Sequence, residues 1–261
     1  MKELSKEQKT TMGYIIIGIC CFILAVSAIT AFVLTGDDSD PETFCKGEVL
    51  AHTIIVLDKT DPLTTAQQKF MFHYINKEKK QLKKFEKLSI FILTENTYAN
   101  LEPIFSKCNP GAGENANPLY QNPQMLKMRF DNDFSKPLKN NMNSLLFDST
   151  GSKSTIFEMI RELTFRDDFG ESIKNRKLII FSDMMHHTPE YSHYKNKIDY
   201  HYFSKKLYAD EVAANLNFVN VKIVYLLRDK SKHKQGKRHL LFWKNYFQTM
   251  GAQLTEVRNV R

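Results

Sequence analysis

The sequence contains no Walker loop, no dinucleotide-binding fingerprint and no Ser-His-Asp arrangement, so an enzymatic reading starts without a mechanism. It has no internal repeat. Cysteine is scarce: of four, Cys20 and Cys21 lie inside an apolar run, and only Cys45 and Cys108 belong to the remainder. His186, His187, His193 and His201 follow no standard zinc spacing. No stretch interleaves basic with aromatic residues. The lysines are spread along helical segments instead, so the net charge of +8 admits nucleic acid or anionic lipid without demanding either. Nucleic acid and small-molecule substrates are not the expected partners; a protein is.

What is present begins with Tyr14–Leu34, a run without a single charge. At 1.5 Å per residue it spans a hydrocarbon core of about 30 Å. A cleaved signal peptide has an apolar region of only about 7–15 residues before an A-x-A-like site, and Ser27 to Ala31 matches such a site poorly. The expected organisation is a cytoplasmic tail (1–12), a transmembrane helix (13–35), an acidic linker (36–49) and one domain (50–261). Lys2, Lys6 and Lys9 precede the helix. Asp37, Asp38, Asp40 and Glu42 follow it, with no basic residue before Lys46. Counting basic residues, the N-terminus stays inside and the domain faces outward, in the periplasm of a bacterial inner membrane. That compartment is oxidising, so a Cys45–Cys108 disulfide is expected, closing a loop of about 60 residues worth roughly 2–4 kcal/mol. The wrong topology would restore two free thiols.

With 42% hydrophobic and 12% aromatic residues there is material for one sizeable core. His52–Leu57 (HTIIVL) is a continuous β-branched run, as a strand buried on both faces requires. A helix is expected over Thr64–Glu86, a strand over Leu88–Leu93 and a short strand over Glu102–Ser106. The Asn-, Gly- and Pro-rich stretch from Cys108 to Pro123 forms a loop. Gln124–Leu146 reads as helix interrupted near Pro137. Ser152–Phe165 reads as helix with Ser154 as its N-cap. Strands follow at Lys177–Phe181 and Val221–Leu227, helices at Tyr202–Leu216 and Leu240–Met250, and a last strand at Leu254–Val257. This alternation predicts an α/β fold, a three-layer, doubly wound, mainly parallel sheet.

In such sheets, sites lie outside the carboxyl ends of the strands. Asp58 and Thr60 directly follow the first strand, Ser154 opens a middle helix, and Asp183 follows a later strand. Two carboxylates and two hydroxyls at one edge suit a hard divalent cation, Mg²⁺ or Mn²⁺, completed by water. The alternative is that each aspartate only caps a helix or satisfies turn amides.

Over roughly residues 50–258 the chain resembles a von Willebrand factor type A (vWA) domain. That family's metal-ion-dependent adhesion site uses Asp-x-Ser-x-Ser after the first strand, a Thr before a middle helix and an Asp after the fourth strand. Here Asp58 matches the first Asp and Thr60 the first Ser; Ser154 stands for the Thr and Asp183 for the second Asp. The second Ser is replaced by Pro62, which has no side-chain oxygen, so the implied site is weaker by one ligand. The phrases DKTDPLT, PIFSKCNPG, SDMMHHTPEYSHY and FWKNYFQTMGA resemble a group of membrane-anchored bacterial vWA-like proteins, whose function the resemblance does not supply.

Beside Asp183 lies a His- and Tyr-rich loop. Asp61, His186, His187, Tyr191 and His193 are expected to form the wall of a partner-binding surface, since aromatic side chains bury area at low entropic cost. Phe242, Trp243, Tyr246 and Phe247 fall at helical spacing and are expected in the core. Lys230–Arg238 is a basic loop. Two functional classes follow: a membrane-tethered binding module that the resemblance favours, or a metal-dependent hydrolase using Asp58 and Asp183.

Overall fold

A computed structural model of the chain describes residues 6–35, 39–95, 101–114, 116, 121–144 and 151–261. The start of the expected cytoplasmic tail, Asp37 and Asp38 of the linker, and parts of the 94–100 and 108–123 loops lie outside the described residues. So does the end of the helix expected to reach Leu146.

Helix α1 (Lys6–Thr35) carries the apolar run, and its Thr10–Thr30 segment is long and apolar enough to cross a membrane. None of that segment is covered by the rest of the protein. After it come β1 (Ala51–Asp58), α2 (Thr65–Gln81), β2 (Lys87–Leu93), β3 (Phe105–Cys108), α3 (Pro123–Arg129), α4 (Lys136–Ser144) and α5 (Ile156–Thr164). The chain continues through β4 (Asn175–Ser182), α6 (Tyr200–Phe203), α7 (Leu207–Glu211), β5 (Asn220–Leu226), α8 (Lys237–Thr249) and β6 (Gln253–Val260). The six strands form one sheet in the order β3-β2-β1-β4-β5-β6, parallel throughout except for β3.

Alternate residues of the central strands feed two cores. Ile54, Val56, Leu178 and Ile180 pack with Phe157 and Ile160 of α5 and with Phe242, Trp243 and Phe247 of α8. Ile55, Leu57, Ile179 and Phe181 pack with Met71, Tyr74 and Ile75 of α2 and with Leu138 and Met142 of α4. The sheet is thus buried on both faces, which is why its strands read as unbroken apolar runs instead of alternating ones. The aromatic segment of α8 is core, as its helical spacing predicts.

Local chemistry explains the boundaries. Thr64 caps α2 in a reciprocal box with Gln67, each side chain accepting the other's backbone N–H. Between α3 and α4 the chain widens into a π-helical turn, Phe130–Ser135, in which the Lys136 N–H donates to the Asp131 carbonyl. Pro137 follows at once and has no N–H to give, so the expected interruption takes this form. Gly251, at φ +83°, ends α8 in the left-handed region that glycine favours.

Two expectations are corrected. The single helix over Tyr202–Leu216 is two short ones, because Lys206 is extended between them. Ser154 is not an N-cap: Thr155 holds that position, and neither hydroxyl caps the helix.

Cys45 and Cys108 form a disulfide, with Cα atoms 4.9 Å apart and a sequence separation of 63. Ahead of it the linker folds into a turn, Asp40 accepting from Thr43 N at 2.7 Å. The Thr43 carbonyl accepts from Cys108 N at 2.7 Å.

Candidate functional site

The strand order reverses between β1 and β4, which lie side by side with Leu57 opposite Phe181. Chains leaving these two strands part in opposite directions and open a crevice at their carboxyl ends. Asp58 is the last residue of β1; Asp183 directly follows β4.

Asp58 is buried and fully engaged. Its Oδ1 accepts from Thr60 N at 3.0 Å and from Thr60 Oγ1 at 2.6 Å, while Oδ2 accepts from Ser182 Oγ at 2.5 Å. Asp183, only 4% exposed, accepts from Met185 N at 2.9 Å through Oδ1. Its other oxygen, Oδ2, is buried with no hydrogen-bond partner among the described residues.

The segment carrying Ser154 is drawn over this edge from two sides. Glu95, just past β2, accepts from Ser152 N and Oγ at 3.1 and 2.8 Å. Ser154 exchanges both backbone hydrogen bonds with His187, each 2.9 Å, so it is fastened to the loop after β4. Gly151 sits against Thr60: a Cβ there would lie 3.5 Å from the Thr60 backbone. Asp58, Thr60 and Asp183 thus lie at the carboxyl ends of β1 and β4, and the segment carrying Ser154 is fastened to the loop after β4. Ser154 Oγ and Thr155 Oγ1 are buried and, like Asp183 Oδ2, lack a partner among the described residues. A buried unpaired oxygen ordinarily costs about 1–3 kcal/mol. Carboxylate and hydroxyl oxygens are the donor type that a small divalent cation takes. By contrast, no group of three or more His, Cys, Asp or Glu side chains is placed to hold a metal among the described residues. A cation at this edge would rest on hydroxyls as well as on the two carboxylates.

The electrostatics agree with a crowded anionic pair. Burial, then the charge of Asp58, pushes the Asp183 carboxyl up to about 7. Burial raises Asp58 too, against the hydrogen bonds from Ser182 and Thr60. Arg228, just beyond β5, pulls both down. Its guanidinium donates to the Pro62 and Asp61 carbonyls, so the position that lacks the second Ser is held by an arginine. Sequence reasoning missed Arg228 and Ser182. Their position just after, or at the end of, a strand was the available signal.

The loop after Asp183 differs from expectation. His186, His193 and Tyr191 are enclosed, none with measurable exposure, and cannot serve as a contact surface. They face the aromatic core around Phe157, Phe203 and Phe242. The reason is Met184, a non-glycine residue at φ +59°. Its carbonyl turns inward and accepts from Trp243 Nε1 at 3.0 Å, with His239 Nε2 at 3.0 Å and His193 Nδ1 at 3.2 Å also aimed at it. Burial holds these imidazoles below their ordinary pKa, His239 at about 4. The ring of donors clamps the backbone next to Asp183. Of the expected wall, exposed Asp61 and half-buried His187 remain at the surface, with Tyr194 edge-on to His187.

A cavity of about 10 Å³, room for one water, lies beside Asp58 under Leu63, Gln67 and Met71.

Comparison with models of protein families yields no match, and comparison with curated protein sequences yields none either.

Proposed function

We propose that the chain is a membrane-anchored, vWA-like binding module. Its domain faces the periplasm from a bacterial inner membrane and grips a protein partner through a weakly held divalent cation at Asp58, Thr60, Ser154 and Asp183. One observation carries the reading: Asp183 Oδ2, Ser154 Oγ and Thr155 Oγ1 are buried without partners among the described residues, at the edge where two raised-pKa aspartates meet. Supporting it, an aspartate ends the first strand and another follows the fourth, as the resemblance implies. The apolar α1 and the Cys45–Cys108 disulfide suit a membrane protein in an oxidising compartment. A metal-dependent hydrolase using Asp58 and Asp183 is the second reading; no nucleophile or general-base arrangement in the sequence supplies it with a mechanism.

Bound there, the cation would neutralise the aspartate pair and offer an open coordination position to an acidic group of the partner. Asp61, whose charge acts on Asp183, and His187, bonded to Ser154, are the residues of the expected wall left at the surface there. Co-purification of the intact protein from its own membranes, with and without chelator, tests the reading. A partner released by chelator and absent with Asp183→Ala supports it; a partner set indifferent to both overturns it.

A further inference from the structure

Helix α3 presents Met125 and Met128, one turn apart and 67% and 62% exposed. The helix is held from below. Gly113 packs so tightly against it that an added Cβ would lie 2.8 Å from the Pro123 carbonyl and 3.2 Å from Leu126 Cβ. The methionines are thus offered outward on a fixed support.

Where that support stands relative to the membrane follows from chain length. Between Thr35, the end of α1, and Asp40 the chain can reach at most about 17 Å. Asp40 opens the turn that ends at Cys45, with Asp40 N donating to the Cys45 carbonyl at 2.9 Å. The disulfide and the Thr43–Cys108 hydrogen bond rivet this turn to β3. Phe44 within it is flanked by Lys107 at 4.8 Å and by Arg129, the last residue of α3, at 5.0 Å. The headgroup layer is itself roughly 5–7 Å thick on each side. A short tether therefore keeps α3 within reach of the bilayer surface.

We propose that α3 lies in the headgroup layer of the membrane that α1 spans, with Met125 and Met128 among the upper acyl chains. Methionine is flexible and apolar and fits a disordered apolar boundary. Lys107 and Arg129, which meet at Phe44 beside the end of α3, match the anionic phosphates of the headgroups. The consequence is orientation: the sheet is held at a fixed attitude, so the edge bearing Asp58 and Asp183 is presented to a partner instead of tumbling on its linker. The inference rests on the membrane-anchor part of the proposed function and not on the cation.

The native chain has one tryptophan, Trp243, which is fully buried and serves as an internal reference. The full chain carrying Met125→Trp is placed in nanodiscs of phosphatidylethanolamine and phosphatidylglycerol, plain or brominated near the headgroup end of the acyl chains. Phe218→Trp is the control; Phe218 is 86% exposed and bonds to Gly251 near β6, at the opposite edge of the sheet from β3. The expected result with Met125→Trp is a blue-shifted emission from the introduced indole that brominated lipid quenches. The introduced indole of Phe218→Trp and the native Trp243 should be unchanged by the bromine. Emission from Met125→Trp that is quenched no more than that from Phe218→Trp overturns the proposal, and is the outcome if another protein or a second copy covers this face. A chain that does not stay with the discs overturns the anchor itself.

Discussion

Replacing Asp183 by asparagine is expected to stabilise the metal-free protein, and to do so more at pH 8 than at pH 5. Burial and the Asp58 charge raise the Asp183 carboxyl from 3.8 to about 7. In the unfolded chain the same carboxyl ionises near its ordinary value of about 3.9. Between these two values the folded state retains a proton that the unfolded state has released. Stability therefore falls as pH rises through this window, by about 1.4 kcal/mol per unit. Across the full window the loss is about 4 kcal/mol, complete above the folded pKa and absent below the unfolded one. The raised pKa of Asp58 acts in the same direction. An asparagine keeps the acceptor for Met185 N and removes the charge that opposes Asp58. From pH 5 to the folded value of about 7 the loss is about 3 kcal/mol, which for a domain of this size corresponds to a shift in Tm of about 6–12 °C. The assay is thermal unfolding of the full chain in nanodiscs, in chelator, from pH 5 to pH 8, wild type against Asp183→Asn. The variant should gain on the wild type as pH rises. Parallel pH profiles, or a variant less stable at pH 8, would refute the reasoning.

Three further outcomes are expected. Cys108→Ser should lower Tm by about 4–16 °C, from roughly 2–4 kcal/mol of lost loop constraint, as read by calorimetry; two alkylatable thiols in protein from native membranes would contradict the bridge. A reporter active only in the periplasm, fused after Arg261, should work; activity of a cytoplasmic reporter alone would reverse the topology. Pro62→Ser returns a hydroxyl to the position that lacks one and should tighten Mg²⁺ binding by about tenfold, the equivalent of about 1.4 kcal/mol; calorimetric titration showing equal or weaker affinity would mean that this position does not reach the cation.

The strands are legible in the sequence because a strand buried on both faces needs an unbroken apolar run, and HTIIVL, LSIFIL and KLIIF are such runs. The structure lengthens them by a residue or two at most ends. The last strand is twice as long as its apolar signal, since Gln253–Val260 lies at the sheet edge, mostly exposed, and carries polar residues throughout. The helix expected over Tyr202–Leu216 fails for a tertiary reason. Tyr208 must reach Glu158 at 2.5 Å and His186 at 3.0 Å, and the extended Lys206 ahead of it breaks the helix. The aspartates are legible from position alone, each at or just after the end of a buried strand. The histidines are not. Whether an imidazole is solvated or buried depends on finding an acceptor inside, and the acceptor for His193 and His239 is a backbone carbonyl, which no side-chain pattern announces. Ser154 is legible for the wrong reason: its place ahead of a helix suggests a cap, yet its hydroxyl is buried without a partner among the described residues while its backbone is bridged to His187.

Adding Mg²⁺ or Mn²⁺ to the chelated full chain at pH 8 tests the cation site most directly. At about 10 mM cation and a dissociation constant of about 1 mM, linkage gives roughly 1.4 kcal/mol, or about 3–6 °C in Tm. The expected result is that rise in the wild type, none in Asp58→Ala or Asp183→Ala, and intact folding in all three by circular dichroism. A wild-type melting temperature unmoved by either cation would contradict the site and leave two buried aspartates with no ligand to answer for their position.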